Sequence, residues 1–152
     1  MPHMNPAESK YIKVRYLVEL PWIVVFAIGC AIGGLLWTPW LHIATGVCML
    51  WLLWWLWLVP QQVKNLGWLE AENELLLTKG KLWHTFTVVP YGRIQFVDVK
   101  AGPAERAFGL KHVELHTASA TSDSKVRGLS ATTADELRDR LAMKARERMS
   151  GL

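Results

Sequence analysis

Charge is missing from the middle of the first half of this chain. Between Pro21 and Val59, 39 residues pass without a Lys, Arg, Asp or Glu, and His42 is the only basic side chain among them. A run of that kind is hard to wrap inside a 152-residue soluble domain but suits a bilayer. Cysteine is scarce as well. Cys30 and Cys48 are the only two and both fall inside the run, which argues against a disulfide framework and leaves them as small apolar fillers. No Ser/His/Asp spacing, nucleophile elbow, glycine-rich phosphate loop or Cys/His cluster is present, so no active site, metal site or cofactor is expected. No internal repeat or low-complexity segment is visible. Of the 17 Lys+Arg, 14 lie beyond Pro60, against 11 Asp+Glu there. That surplus is too small for a nucleic-acid footprint, and no basic–aromatic stripe accompanies it.

What the run does contain is a hairpin pattern. As one helix it would be about 58 Å long, nearly twice the ~30 Å hydrocarbon core. Trp37-Thr38-Pro39-Trp40 supplies the break, with Thr38 placed to cap and Pro39 suited to the first turn of a second helix. Two spans are expected, about 20–37 and 39–59. Counting outward from the turn puts Trp37 with Trp40 at one interface and Trp22 with Trp55, flanked by Trp54 and Trp57, about 25 Å away. Indole rings favour both bilayer faces. Gly29-xxx-Gly33 and Ala44-xxx-Cys48 are expected to let the spans approach near mid-membrane.

Orientation follows from the flanks. Lys10, Lys13 and Arg15 precede the first span, Lys64 follows the second, and the turn carries no charge. By the positive-inside rule both termini are expected to be cytoplasmic in a multi-pass cell-membrane protein. A cleaved signal peptide fits less well, because no small-x-small site with a polar mature start follows the apolar run. The expected organisation is a segment 1–19, a hairpin 20–59 and a cytoplasmic domain 60–152.

The mean hydropathy of +0.16 is raised by the spans; beyond Pro60 the chain reads as one small soluble core. Leu75-Leu76-Leu77-Thr78 and the alternating segment 82–89 flank Lys79-Gly80-Lys81, a hairpin signal. Pro90-Tyr91-Gly92-Arg93 reads as a turn, Ile94–Lys100 as a strand ended by Ala101-Gly102-Pro103, and 112–117 and 126–129 as further strands after a loop through 106–110. Thr132 to Asp135 and Thr133 to Glu136 have capping-box spacing, and Leu137, Leu141, Ala145 and Met149 then form an apolar stripe with Arg140 on an outer face. The fold class is therefore α+β: a helical hairpin, then an antiparallel part-barrel or sandwich closed by a C-terminal helix.

These residues also carry a family resemblance. Val89-Pro90-Tyr91-Gly92-Arg93-Ile94-Gln95, then Gly102-Pro103, Arg106-Ala107-Phe108-Gly109-Leu110, Leu115-His116-Thr117-Ala118-Ser119 and Gly128-Leu129 ahead of Glu136-Leu137-Arg138 resemble the bacterial pleckstrin-homology (PH) domain of YdbS-like membrane proteins. Those proteins also carry two transmembrane helices before the domain. The resemblance implies a PH-like fold, membrane location and company with a larger membrane protein bearing several such domains, or with further copies of itself. It implies no particular ligand. Pro90, Arg93, Gln95, Gly102, Pro103, Arg106, Gly109, Thr117 and Gly128 are then structural motif positions, with Arg93 anchoring its turn and Arg106 its loop.

Few side chains remain as candidates for binding. His112, Glu114 and His116 alternate along one strand face, but i and i+4 on a strand are about 13 Å apart, too far to share one ion, so a surface or cross-strand role is expected. His84 is expected mid-strand and Glu70, Glu72 and Glu74 in a solvated loop. Lys79 and Lys81 flank the first hairpin turn, where eukaryotic PH domains hold anionic headgroups, although no further run of basic residues follows Lys81. The function expected is a non-enzymatic, membrane-anchored module that docks a protein. Recognition of a lipid headgroup is the alternative.

Overall fold

The computed structural model describes residues 3–80, 82–118 and 124–151. Two long helices come first, α1 (Lys10–Leu36) and α2 (Leu41–Lys64), and both are long and apolar enough to cross a membrane. They extend beyond the expected spans, by ten residues at the start of α1 and five at the end of α2. At 1.5 Å per residue α1 measures about 40 Å, so it has more length than a bilayer core requires. The surplus is used at the base. Tyr11, Val14 and Val63 are buried there together with Leu110, and Ala7, Leu66, Ala104 and Phe108 pack around them. The helices and the domain therefore share a small core instead of a flexible tether.

Polar groups at this base are paired. Arg15 Nε and Nη2 each donate to Glu19 Oε1 at 3.0 Å, Arg15 Nη1 donates to Gln62 at 2.7 Å, and Trp55 Nε1 donates to Glu19 Oε2 at 3.0 Å. Pro60 lies inside α2 and has no N–H, so the Leu56 carbonyl loses its helical donor; the Tyr16 hydroxyl fills that place at 2.8 Å. Trp55 is buried against Glu19 and edge-on to Tyr16, while Trp22 shares a cavity with Trp51. Hydrogen bonding by the indole N–H selected the partner, which symmetry about the turn does not encode.

At the other end the turn spans 37–40, and α2 begins after Trp40 without a side-chain cap, so Thr38 does not cap it; its carbonyl accepts from Leu41 N–H instead. The close approach is not at Gly29, where an added Cβ would meet nothing within 4 Å. It is at the motif's other glycine, Gly33, where a Cβ would stand 3.0 Å from Leu41 Cδ1, and at Gly34, where it would stand 2.9 Å from the His42 ring, both next to the tight end of the hairpin.

The segment after α2, joined by a short strand from ahead of α1, builds two antiparallel sheets. The first has the order β1 (Asn5–Pro6), β2 (Gly67–Glu70), β3 (Glu74–Lys79), β4 (Thr85–Pro90); the second is β5 (Ile94–Lys100), β6 (Leu110–Thr117), β7 (Ser124–Ser130). A 3-10 turn (Tyr91–Arg93) links them, a short helix α3 (Pro103–Ala107) connects β5 to β6, and α4 (Ala131–Ser150) closes the end. The architecture is α+β and the sheets do not close into a barrel. β5 agrees with its sequence reading residue for residue. β4 starts three residues later than the 82–89 alternation suggests, so His84 sits in the turn, not mid-strand. The expected loop through Arg106 holds a helical turn, with Pro103 at its first turn and the Gly102 N–H donating to Glu105 Oε2 at 2.8 Å.

The main core lies between the sheets and α4. Trp68, Leu75 and Val89 come from the first sheet, Ile94, Val113, Leu115 and Val126 from the second, and Ala134, Leu137, Leu141 and Ala145 from α4. Met149, expected on that stripe, is 51% exposed, and Ala134 joins the stripe at its start. The cap is Ser130, whose Oγ accepts from Thr133 N–H at 3.3 Å, two positions before the expected Thr132. Arg140 is not idle on an outer face. Its guanidinium and Lys144 Nζ both hold Glu70, which is largely enclosed and not a solvated loop residue. Lys144 also lies over the ring of Tyr91, which is fully buried with its hydroxyl donating to the Ala71 carbonyl at 2.9 Å.

Candidate functional site

A concavity of about 1210 Å³ opens where the helix base meets the two sheets. One wall is α1: Tyr11, Val14, Arg15, Val18 and Glu19 recur at three- and four-residue intervals along one helical face, a rise of about 12 Å. A second wall is the inner face of the first sheet, where the paired row Trp68, Leu77 and Thr87 lies below the pair Lys79 and Thr85. Ser124 to Arg127 of β7 and Gly102 to Glu105 form the third. Of its cations, Arg15 is committed to Glu19 and Lys125 to Glu114, whereas Lys79 and Arg127 are exposed and make no ion pair among the described residues. The cleft can thus accept an anionic or hydrogen-bonding group over an apolar floor.

The outer face of the second sheet carries a different arrangement. Glu114, mid-strand on β6 and 7% exposed, takes Lys100 from β5 and Lys125 from β7, each at 2.5 Å. Hydrogen bonds from these two ammonium groups hold its carboxyl far below the usual range, at about 2. Lys100 is raised in turn, chiefly by its bond to Glu114. His112 Nδ1 meets Glu105 Oε2 at 2.9 Å, and the His116 ring stacks on Phe96 with centroids 4.2 Å apart. Cross-strand pairing thus accounts for this histidine–glutamate alternation. Among the described residues no group of three His, Cys, Asp or Glu side chains is arranged to hold a metal ion.

The motif positions fall at joints of the fold. Pro90 ends β4, Arg93 ends the 3-10 turn, and Thr117 ends β6. Gln95 is the extra residue of a bulge, since Ile94 pairs with Thr117 and Phe96 with His116. Gly109 (φ 67°) follows α3, and its carbonyl accepts from Ala131 N–H at the start of α4. Gly128 (φ 72°) sits in a second bulge, opposite the shift between Lys111 and Val113; its carbonyl accepts Glu8 N–H at 2.7 Å. Arg93 and Arg106 are exposed, and neither side chain makes a hydrogen bond or ion pair among the described residues. Lys79 ends β3 on the rim of the cleft, while Lys81 and Ser119 lie outside the described residues. Sequence reasoning missed the Arg15–Glu19–Trp55 clamp, although an Arg–Glu pair at i,i+4 just ahead of an uncharged run was a readable signal.

Two antiparallel sheets closed at one end by a C-terminal helix, with the first sheet leading into the second through a tight corner, define a PH-like domain. The sequence model of the bacterial PH domain matches residues 15–145, a stretch that begins inside α1, takes in all of α2 and ends inside α4. The chain belongs to the bacterial PH domain family. No curated protein and no solved structure gives a significant match.

Proposed function

We propose that this chain is a membrane-anchored, non-enzymatic binding module of the YdbS-like kind, which docks a protein at the inner face of the cell membrane with both of its termini cytoplasmic. The observation that carries this reading is the free apolar edge of the first sheet. β4 ends the sheet, and Phe86 and Val88 on its outer face are 59% and 42% exposed. Leu69, Leu76 and Val88 are in register across three strands and continue that patch. An extended segment added to β4 would gain a ladder of backbone hydrogen bonds while covering this row. A companion protein with several PH-like domains, or a second copy of this chain, fits that mode. A photo-crosslinking residue at Val88 of the full chain, in intact cells, should give one dominant protein adduct that Phe86→Glu abolishes. Adducts with lipid alone would overturn the reading.

The cleft supports a second reading, in which an anionic headgroup is held by Lys79 and Arg127. Lys79→Glu combined with Lys81→Glu should then weaken liposome binding and leave the Val88 adduct intact. Loss of the adduct in that variant would join the two surfaces into one.

A further inference from the structure

We infer that the tip of the β3–β4 hairpin is a second, reversible membrane contact, which lays Leu82 and Trp83 into the headgroup layer of the bilayer that the helices cross. This rests on the membrane-anchored reading above. Leu82 and Trp83 are 64% and 85% exposed, and Trp83 is the most exposed large apolar side chain beyond α2 among the described residues. Such a pair is unfavourable in water, whereas an indole beside an aliphatic chain suits a membrane interface.

Three features place the tip on the bilayer side. β2 starts three residues after α2 ends, and β3 returns past that start, since Thr78 already pairs with Gly67 while the strand continues to Lys79. Trp83 lines the same cleft as Val18 and Glu19, the residues of α1 just before the uncharged run. The turn is also built, not loose: Gly80 has φ 91°, and a Cβ there would stand 2.2 Å from the Trp83 carbonyl oxygen. That close approach holds the backbone of Trp83 while its ring points outward. Lys79, exposed beside the tip, supplies a cation for anionic headgroups. The contact would fix the tilt of the domain, and so which way the β4 edge faces, without contributing to anchoring.

The test uses the full chain, with Cys30 and Cys48 replaced by Ala, in phosphatidylcholine vesicles with and without phosphatidylglycerol. Single cysteines at Leu82, at Glu72 in the turn at the opposite end of β3, and at Leu50 within α2 carry an environment-sensitive fluorophore. Lipid-attached shallow quenchers should remove most of the Leu82→Cys signal and leave Glu72→Cys nearly unchanged, with iodide doing the reverse. Trp83→Ser should shift Leu82→Cys toward the iodide-accessible pattern. Quenching at Leu50 by quenchers placed deep in the acyl chains, without any at Leu82 by the shallow ones, would overturn the inference alone, while its absence at Leu50 would remove the membrane reading itself. Shielding of Leu82 from both quenchers, seen in native membranes but not in pure-lipid vesicles, would mean that a protein covers the tip, and would also overturn it.

Discussion

Replacing Gly128 by Ala, with Gly109→Ala as its reference, isolates how firmly the N-terminal segment is seated on the domain. Both glycines have positive φ, at 72° and 67°, so each substitution carries the same backbone penalty of about 1–2 kcal/mol. Part of it is offset by the lower chain entropy of Ala in the unfolded state, worth ~0.4–1 kcal/mol. At Gly109 nothing stands within 4 Å of the new methyl, and the net loss should be about 1 kcal/mol. At Gly128 the methyl would sit 2.8 Å from the Ala7 Cβ and 3.3 Å from Tyr11. Carbon atoms rest about 3.5–4.0 Å apart, so the N-terminal segment must retreat by most of an ångström, an overpacking cost of about 1–3 kcal/mol. That retreat also breaks the Glu8 N–H bond to the Gly128 carbonyl. Thermal unfolding of the full chain in detergent should fall by about 2–4 °C for Gly109→Ala and by about 4–16 °C for Gly128→Ala. Amide exchange at Glu8 should quicken only in the second. Equal shifts, with exchange at Glu8 unchanged, would refute the docking of α1 and its leader on β7.

Leu141→Asp should abolish the folded domain, because a charge would be buried without a partner at a fully enclosed position of α4, a cost of several kcal/mol against a total of ~5–15. Arg140→Asp, at an exposed guanidinium bonded to Glu70, should lower the melting temperature by only a few degrees; equal effects of the two changes would remove α4 as the closing element. Glu114 has a depressed folded pKa, so its contribution to stability is full above about 4.5 and is lost as pH falls toward about 2; Glu114→Gln should flatten that part of the acid-unfolding curve, and an unchanged slope would count against the Lys100–Glu114–Lys125 bridge. Reporters fused at Met1 and Leu152 should both read cytoplasmic, with a tag at Thr38 labelled from outside; termini on opposite sides would break the hairpin topology.

Much of this protein was legible one residue at a time. The uncharged run is a solvent-level constraint, and it gave two helices with a break at Thr38-Pro39 without any tertiary information. Alternation fixed β5, and the stripe of Leu137, Leu141 and Ala145 fixed the buried face of α4, because period and burial are both local in sequence. Hydrogen bonding and charge pairing were not local. Glu70 looked solvated until α4 brought Arg140 and Lys144 across to it, some 70 positions away in the chain. That Trp55 gives its N–H to Glu19 on the other helix was not readable from either segment, and Tyr16 found its acceptor only because Pro60 had released the Leu56 carbonyl. The cleft is of the same kind: α1, the first sheet and β7 each contribute a wall, and no one segment encodes the hollow between them. Sequence periodicity determines which face of an element is apolar, since that depends only on the geometry of the element itself. Which polar groups meet, and where space is left open, depends on how several such elements pack, and only the tertiary structure decided that.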